Sequence, residues 1–184
     1  EHLRWRLIYS GQGWLRVGVP REQCESVAEH IFGMAMLAWL ATDGGLAPGV
    51  ERDRVLRMVL AHELGEIYTG DIIPADGVPA EEKHRLERAA LLRVVERLPE
   101  GFDFVALWEE FEAGTSPEAR LARQLDRLEM ALQALVYEKQ GYTGPAMDGF
   151  YRSAAGAVQD ERLQALLDMI RARRDVQSNG NDCG

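Results

Sequence analysis

Cysteine is scarce in this chain: two in 184 residues, Cys24 and Cys183. A small secreted fold stapled by disulfides carries more, so both are read as reduced thiols of a cytoplasmic protein. Long apolar runs are also lacking. No stretch approaches the roughly 20 residues that a bilayer-spanning helix needs, and no signal peptide is read at the start, so no membrane partner is expected. The chain opens on Glu1 rather than Met, which reads as a trimmed start. Positive charge is in deficit: 21 Lys and Arg stand against 30 Asp and Glu, a formal net charge of −9. A surface that coats nucleic acid needs the opposite balance, so no nucleic-acid polymer is expected as a partner. A small phosphorylated substrate stays open, because a bound cation can reverse the field inside one pocket. Alternating strand patterns and internal repeats are missing too.

What is present is an ordinary globular composition, 46% hydrophobic and 28% charged, at a single-domain length. One domain is expected over residues 1–176. The tail 177–184, with Ser-Asn-Gly-Asn-Asp, has nothing to bury and is expected to be disordered.

Helical periodicity dominates the rest. Val27, Ile31, Met34, Leu37 and Ala38 recur at three- and four-residue steps, predicting a helix from about Gln23 to Thr42. Further helices are predicted over about Arg52–Tyr68, Ala80–Leu98 and Phe104–Glu112. Ser116 as cap and Pro117 at the first helical position predict another, reaching Glu138 or Lys139. A last helix is predicted from about Met147 to Arg174. The fold class is therefore all-α, a bundle of about six to seven helices.

Four residues of metal-ligand type fall on three of these helices. His62 and Glu63 are adjacent within Val-Leu-Ala-His-Glu-Leu-Gly-Glu. Burying such a pair is costly unless something compensates it, and a divalent cation would compensate both. Alone, His62 could equally be a satisfied core histidine and Glu63 a solvated acid. His30, in Glu-Ser-Val-Ala-Glu-His, and Asp126, in Gln-Leu-Asp-Arg-Leu-Glu, each sit beside apolar residues. Each has its own structural reading, a core histidine and a partner of a nearby Arg. The order His, His-acid, Asp on helices that must pack together is harder to dismiss. Glu66 follows His62 by one helical turn and would share its face. A zinc protease of the His-Glu-x-x-His type fails, because position 66 is Glu. A ferritin-like di-iron site fails as well, since Glu81 to His84 is the only Glu-x-x-His.

These blocks, with Gly13-Trp14-Leu15-Arg16, Thr69-Gly70-Asp71-Ile72, Pro74-Ala75-Asp76 and Glu81-Glu82-Lys83-His84, resemble the HD-domain superfamily and within it the 5′-deoxynucleotidase group. The resemblance runs from about Gly13 to Glu138. It implies an HD-domain bundle binding one divalent cation (Mn, Co, Mg or Zn) through His30, His62, Glu63 and Asp126. The group's usual residue at position 63 is Asp; Glu is one methylene longer and ligates if the backbone sits further back. The resemblance also implies Glu66 acting on the attacking water, Asp71 completing the catalytic set, and Trp14 and Arg16 contacting a small nucleotide substrate. It suggests a homodimer. Two alternatives stay open: another HD phosphohydrolase acting on triphosphates or phosphodiesters, and a catalytically degenerate HD binding or dimerisation module.

Overall fold

Ser26 starts the first long helix by closing a capping box. Its hydroxyl accepts the Glu29 amide at 3.2 Å, and the Glu29 carboxylate accepts the Ser26 amide at 2.8 Å. Both are donors that a helix start otherwise leaves open. The computed structural model describes residues 12–70, 72, 76–96, 98 and 103–181, so Asp71, expected to be catalytic, lies outside the described residues. The helices are α1 (Gln12–Arg16), α2 (Val27–Asp43), α3 (Arg52–Ala61), α4 (Glu66–Thr69), α5 (Ala80–Val95), α6 (Phe104–Ala113), α7 (Pro117–Lys139), α8 (Asp148–Ala157) and α9 (Glu161–Asn181). Short 3₁₀ turns cover Arg21–Gln23 and His62–Gly65. No strand occurs among the described residues, in line with the all-α expectation.

The bundle is organised around α7. Ser116 caps it, accepting the Ala119 amide at 3.0 Å, and Pro117 fills the first turn where no amide is needed. Leu121, Leu125, Leu128 and Leu135 are buried along its length, and α2, α3, α6, α8 and α9 pack around it. Burial of each such leucine stabilises by roughly 1.5–3 kcal/mol, enough to fix which faces of the neighbours turn inward. On α2 the inward face is Val27, His30, Met34, Ala38 and Ala41. One polar residue in that apolar row points at the centre of the fold.

Two expected helices are each divided. The stretch predicted as one helix over Arg52–Tyr68 breaks into α3, the 3₁₀ turn at His62–Gly65, and α4. Gly65 lets α5 come close at this point: a Cβ there would lie 3.0 Å from both the Cβ and the carbonyl oxygen of Glu87. The helix predicted over Met147–Arg174 is divided between α8 and α9. Its break is held from outside, since the Gln124 side chain on α7 accepts the amides of Gln159 (2.7 Å) and Asp160 (2.9 Å). Asp160 then caps α9 through the amides of Arg162 and Leu163. That last helix continues to Asn181, past the boundary expected at 177, while 182–184 lie outside the described residues.

Candidate metal centre

The inward row of α2, the 3₁₀ turn and the middle of α7 meet at one end of a cavity of about 790 Å³. His30, His62 and Asp126 each contribute one ligand-type atom to a group lying within 4.8 Å of one another. His30 Nε2 is 3.4 Å from Asp126 Oδ1, and the two imidazoles are 5.7 Å apart centre to centre. Glu63 stands at the edge of this triangle with Oε1 3.1 Å from His62 Nε2. Two ligands on one first-row cation, each bonded at about 2.1 Å, lie roughly 3–3.6 Å apart, so these separations are of the right size.

Protonation makes the case sharper. His62 Nδ1 donates to the Val59 carbonyl at 2.7 Å, which leaves Nε2 with its lone pair. That nitrogen is buried and has no hydrogen-bond partner. The Glu63 oxygen beside it is also an acceptor, and the contact lacks hydrogen-bond geometry. With Nε2 protonated the two form an ion pair at 3.1 Å; with Nε2 unprotonated they are two lone pairs suited to a metal ion. Burial pulls the His62 pKa down, but the Glu63 carboxylate raises it on balance. Burial likewise opposes the charge on His30, and hydrogen bonds to Asp126 and Glu129 hold its pKa well above the ordinary range. Asp126 and Glu63 are both pulled down against their own burial, the first by His30, the second by His62. Two buried imidazoles and two buried carboxylates thus face one another, each offsetting the cost of its partner's burial. The residues present fit a divalent cation.

The wider cavity has an excess of acid. Among the described residues six carboxylates line it (Glu25, Glu63, Glu66, Glu87, Glu112 and Asp126) against three basic side chains, Arg16, Lys83 and Arg127. Burial pushes the Glu25 carboxyl up to about 8 and Glu87 up to about 7, so these two acids carry less negative charge at neutral pH than their number suggests. Glu66 opens α4 and lines the cavity, reaching the Glu63 side chain. The turn between it and His62 is 3₁₀ rather than α-helical, a correction to the expected regular turn. Arg16 also lines the cavity, half-exposed, with Nη2 2.7 Å from Asp76 Oδ1. Trp14 is only 3% exposed; its ring stacks on Phe150 at 4.1 Å and meets the edge of Tyr137 at 5.0 Å. Most of its surface belongs to the core.

Three residues of the site escape sequence reasoning. Lys83 reads as part of a solvated helix, yet its Nζ donates to the Ile72 carbonyl at 2.9 Å at the cavity wall. Arg127 follows a ligand-type residue and leaves no pattern of its own. Glu129 lies 2.6 Å from His30 Nδ1. Its signal is the three-residue step from Asp126, which places both on one face of α7.

A helical bundle that gathers two buried histidines and an aspartate into one group able to hold a metal ion is of the all-α class. The chain belongs to the HD domain family, whose model matches residues 11–166. It is 38% identical over 166 residues to human 5′-deoxynucleotidase HDDC2, covering 89% of this chain and 78% of that protein. The 5′-deoxynucleotidase hdd1 of Schizosaccharomyces pombe is 34% identical over 169 residues, covering 89% and 82%. Among solved structures, a predicted metal-dependent phosphohydrolase from Magnetospirillum magnetotacticum superposes with a TM-score of 0.67 at 28% identity, covering 97% of this chain and 87% of that one. A conserved hypothetical protein from Pyrococcus furiosus gives 0.74 at 26% identity, covering 93% and 96%.

Proposed function

We propose that this chain is a metal-dependent phosphomonoesterase that releases phosphate from deoxynucleoside 5′-monophosphates, with one divalent cation held by His30, His62, Glu63 and Asp126. The observation that carries the reading is the buried His62 Nε2, without a hydrogen-bond partner and facing a carboxylate. The substrate class follows from the names of the relatives, and Arg16, Lys83 and Arg127 in the cavity lining supply positive charge suited to a phosphate.

When bound, the cation supplies Lewis-acid charge to a phosphate oxygen and acidifies water. The chain's own groups do the rest. Glu66 accepts a proton from the attacking water, whose oxygen forms the new bond to phosphorus. As the bond from phosphorus to the 5′-oxygen breaks, that oxygen takes a proton from Asp71 or from a group that Asp71 orients. The products are a deoxynucleoside and inorganic phosphate. Arg16, braced by Asp76, grips the phosphate at the rim, and Trp14 with Phe150 forms an apolar wall for the sugar.

A homodimer and a cytoplasmic location belong to the same proposal. Phe32, Trp39 and Leu40 are 68%, 51% and 61% exposed on the outer face of α2, a stripe that suits a second copy. Among the described residues no helix is long and apolar enough to cross a membrane, and Cys24 is a free thiol.

Phosphate release is the test, screened over deoxy- and ribonucleoside mono-, di- and triphosphates with Mn, Co, Mg and Zn supplied in turn. Turnover confined to deoxynucleoside monophosphates is expected. Turnover of triphosphates alone, or none with any metal, contradicts the reading.

A further inference from the structure

Glu129 is a buried acid against the candidate centre, 6% exposed, and a carboxylate is costly in that position unless it is paired. Its Oε2 lies 2.6 Å from Nδ1 of His30, itself 8% exposed. Asp126, three residues earlier on α7, meets the same imidazole at Nε2. The two nitrogens of His30 are thus divided between two carboxylates of one helix face. Opposite Glu129 on α2 stands Gly33. A Cβ at that position would lie 2.8 Å from Glu129 Oε1, 3.2 Å from its Cγ and 3.3 Å from its Cδ. Glycine inside a helix is disfavoured relative to alanine, so a reason for it is expected, and here the reason is clearance.

We infer that Glu129 is a positioning residue for the metal: it accepts a hydrogen bond from His30 Nδ1–H, which leaves the Nε2 lone pair facing the cation, and it depends on Gly33 for the space it occupies. The inference deepens the metal reading above and rests on it. A carboxylate behind a ligating imidazole fixes the ring's tautomer and orientation and makes the outer nitrogen a better donor. Glu129 therefore acts through His30 and does not touch the cation. Glu25, whose carboxylate lies within 4.8 Å of ligand atoms of both His30 and Glu129, closes the far side of the same cluster.

Purified full-length protein, stripped of metal, is titrated with Co(II) by calorimetry while the visible absorption of the bound ion is followed. The wild type is expected to bind one equivalent. Glu129→Gln keeps an acceptor for Nδ1 but loses the charge, and should weaken Co(II) about 10-fold, whereas Glu129→Ala should weaken it about 100-fold. Gly33→Ala, which leaves every polar group in place, should weaken it and shift the Co(II) band in the same direction. If Glu129→Ala fails to fold, as thermal melts of the metal-free protein will reveal, Glu129→Gln and Gly33→Ala carry the test. Wild-type affinity and an unchanged band in these variants overturn the inference. So does a wild type that binds two equivalents and loses one with Glu129, since Glu129 is then a ligand. Phosphate release from a deoxynucleoside monophosphate is measured alongside: one tight equivalent that responds to Glu129 but no turnover sinks the proposed activity and leaves the positioning role standing.

Discussion

Glu87 holds a carboxylate that water hardly reaches, 4% exposed on α5 behind the 3₁₀ turn. Burial pushes its pKa up to about 7, against the pull of the Lys83 ammonium 3.4 Å away. In an unfolded chain a glutamate titrates near 4.3, so the folded protein binds this proton more tightly. The stability it contributes is full below about pH 4.3 and is lost as the pH rises through about 7. Glu87→Gln mimics the protonated acid, and its melting temperature relative to wild type should be more favourable at pH 8 than at pH 5. Thermal melts at the two values check this, and an equal difference at both contradicts it. Glu66 differs in its proposed role, since it lines the cavity and reaches the Glu63 side chain. Glu66→Ala should leave fold and metal content unchanged and lower turnover by at least about 100-fold, read by phosphate release beside metal analysis. At this scale His30, His62 and Asp126 were legible as ligand types at fitting places in helical patterns. Glu129 was not, because a buried acid whose purpose is another side chain looks in sequence like one more charge on a helix.

Elements set where those residues point. Removing the cap with Ser26→Ala should cost about 0.5–2 kcal/mol of stability, measured by urea unfolding. Because His30 lies in the first turns of α2, the same variant should also bind metal more weakly. Gly65→Ala tests the junction between the 3₁₀ turn and α5, where the new Cβ would press on the Glu87 backbone. Overpacking of this kind costs about 1–3 kcal/mol, a loss that should appear as a lowered melting temperature. The long helices α2, α5, α6 and α7 could be read from apolar spacing, caps and proline, since those signals are local. The breaks at His62–Gly65 and before α9 could not. A four-residue 3₁₀ turn barely disturbs helical periodicity. The break before α9 depends on Gln124, a side chain 35 residues away from the amide it caps.

For the molecule as a whole, the exposed row on α2 and the acid-lined cavity lie on opposite faces of one helix, His30 inward and Phe32 and Leu40 outward. The proposed homodimer and metal binding should therefore be separable. The double variant Phe32→Glu with Leu40→Glu should run as a monomer in light scattering while keeping wild-type metal content; a dimer that persists would place the interface elsewhere. The measurement that bears most directly on the account is anomalous diffraction from crystals soaked in Mn(II) or Co(II). A single strong peak is predicted within bonding distance of His30 Nε2, His62 Nε2 and an Asp126 oxygen, with Glu63 completing the set. No peak there, or one on a different group of side chains, would contradict the central claim.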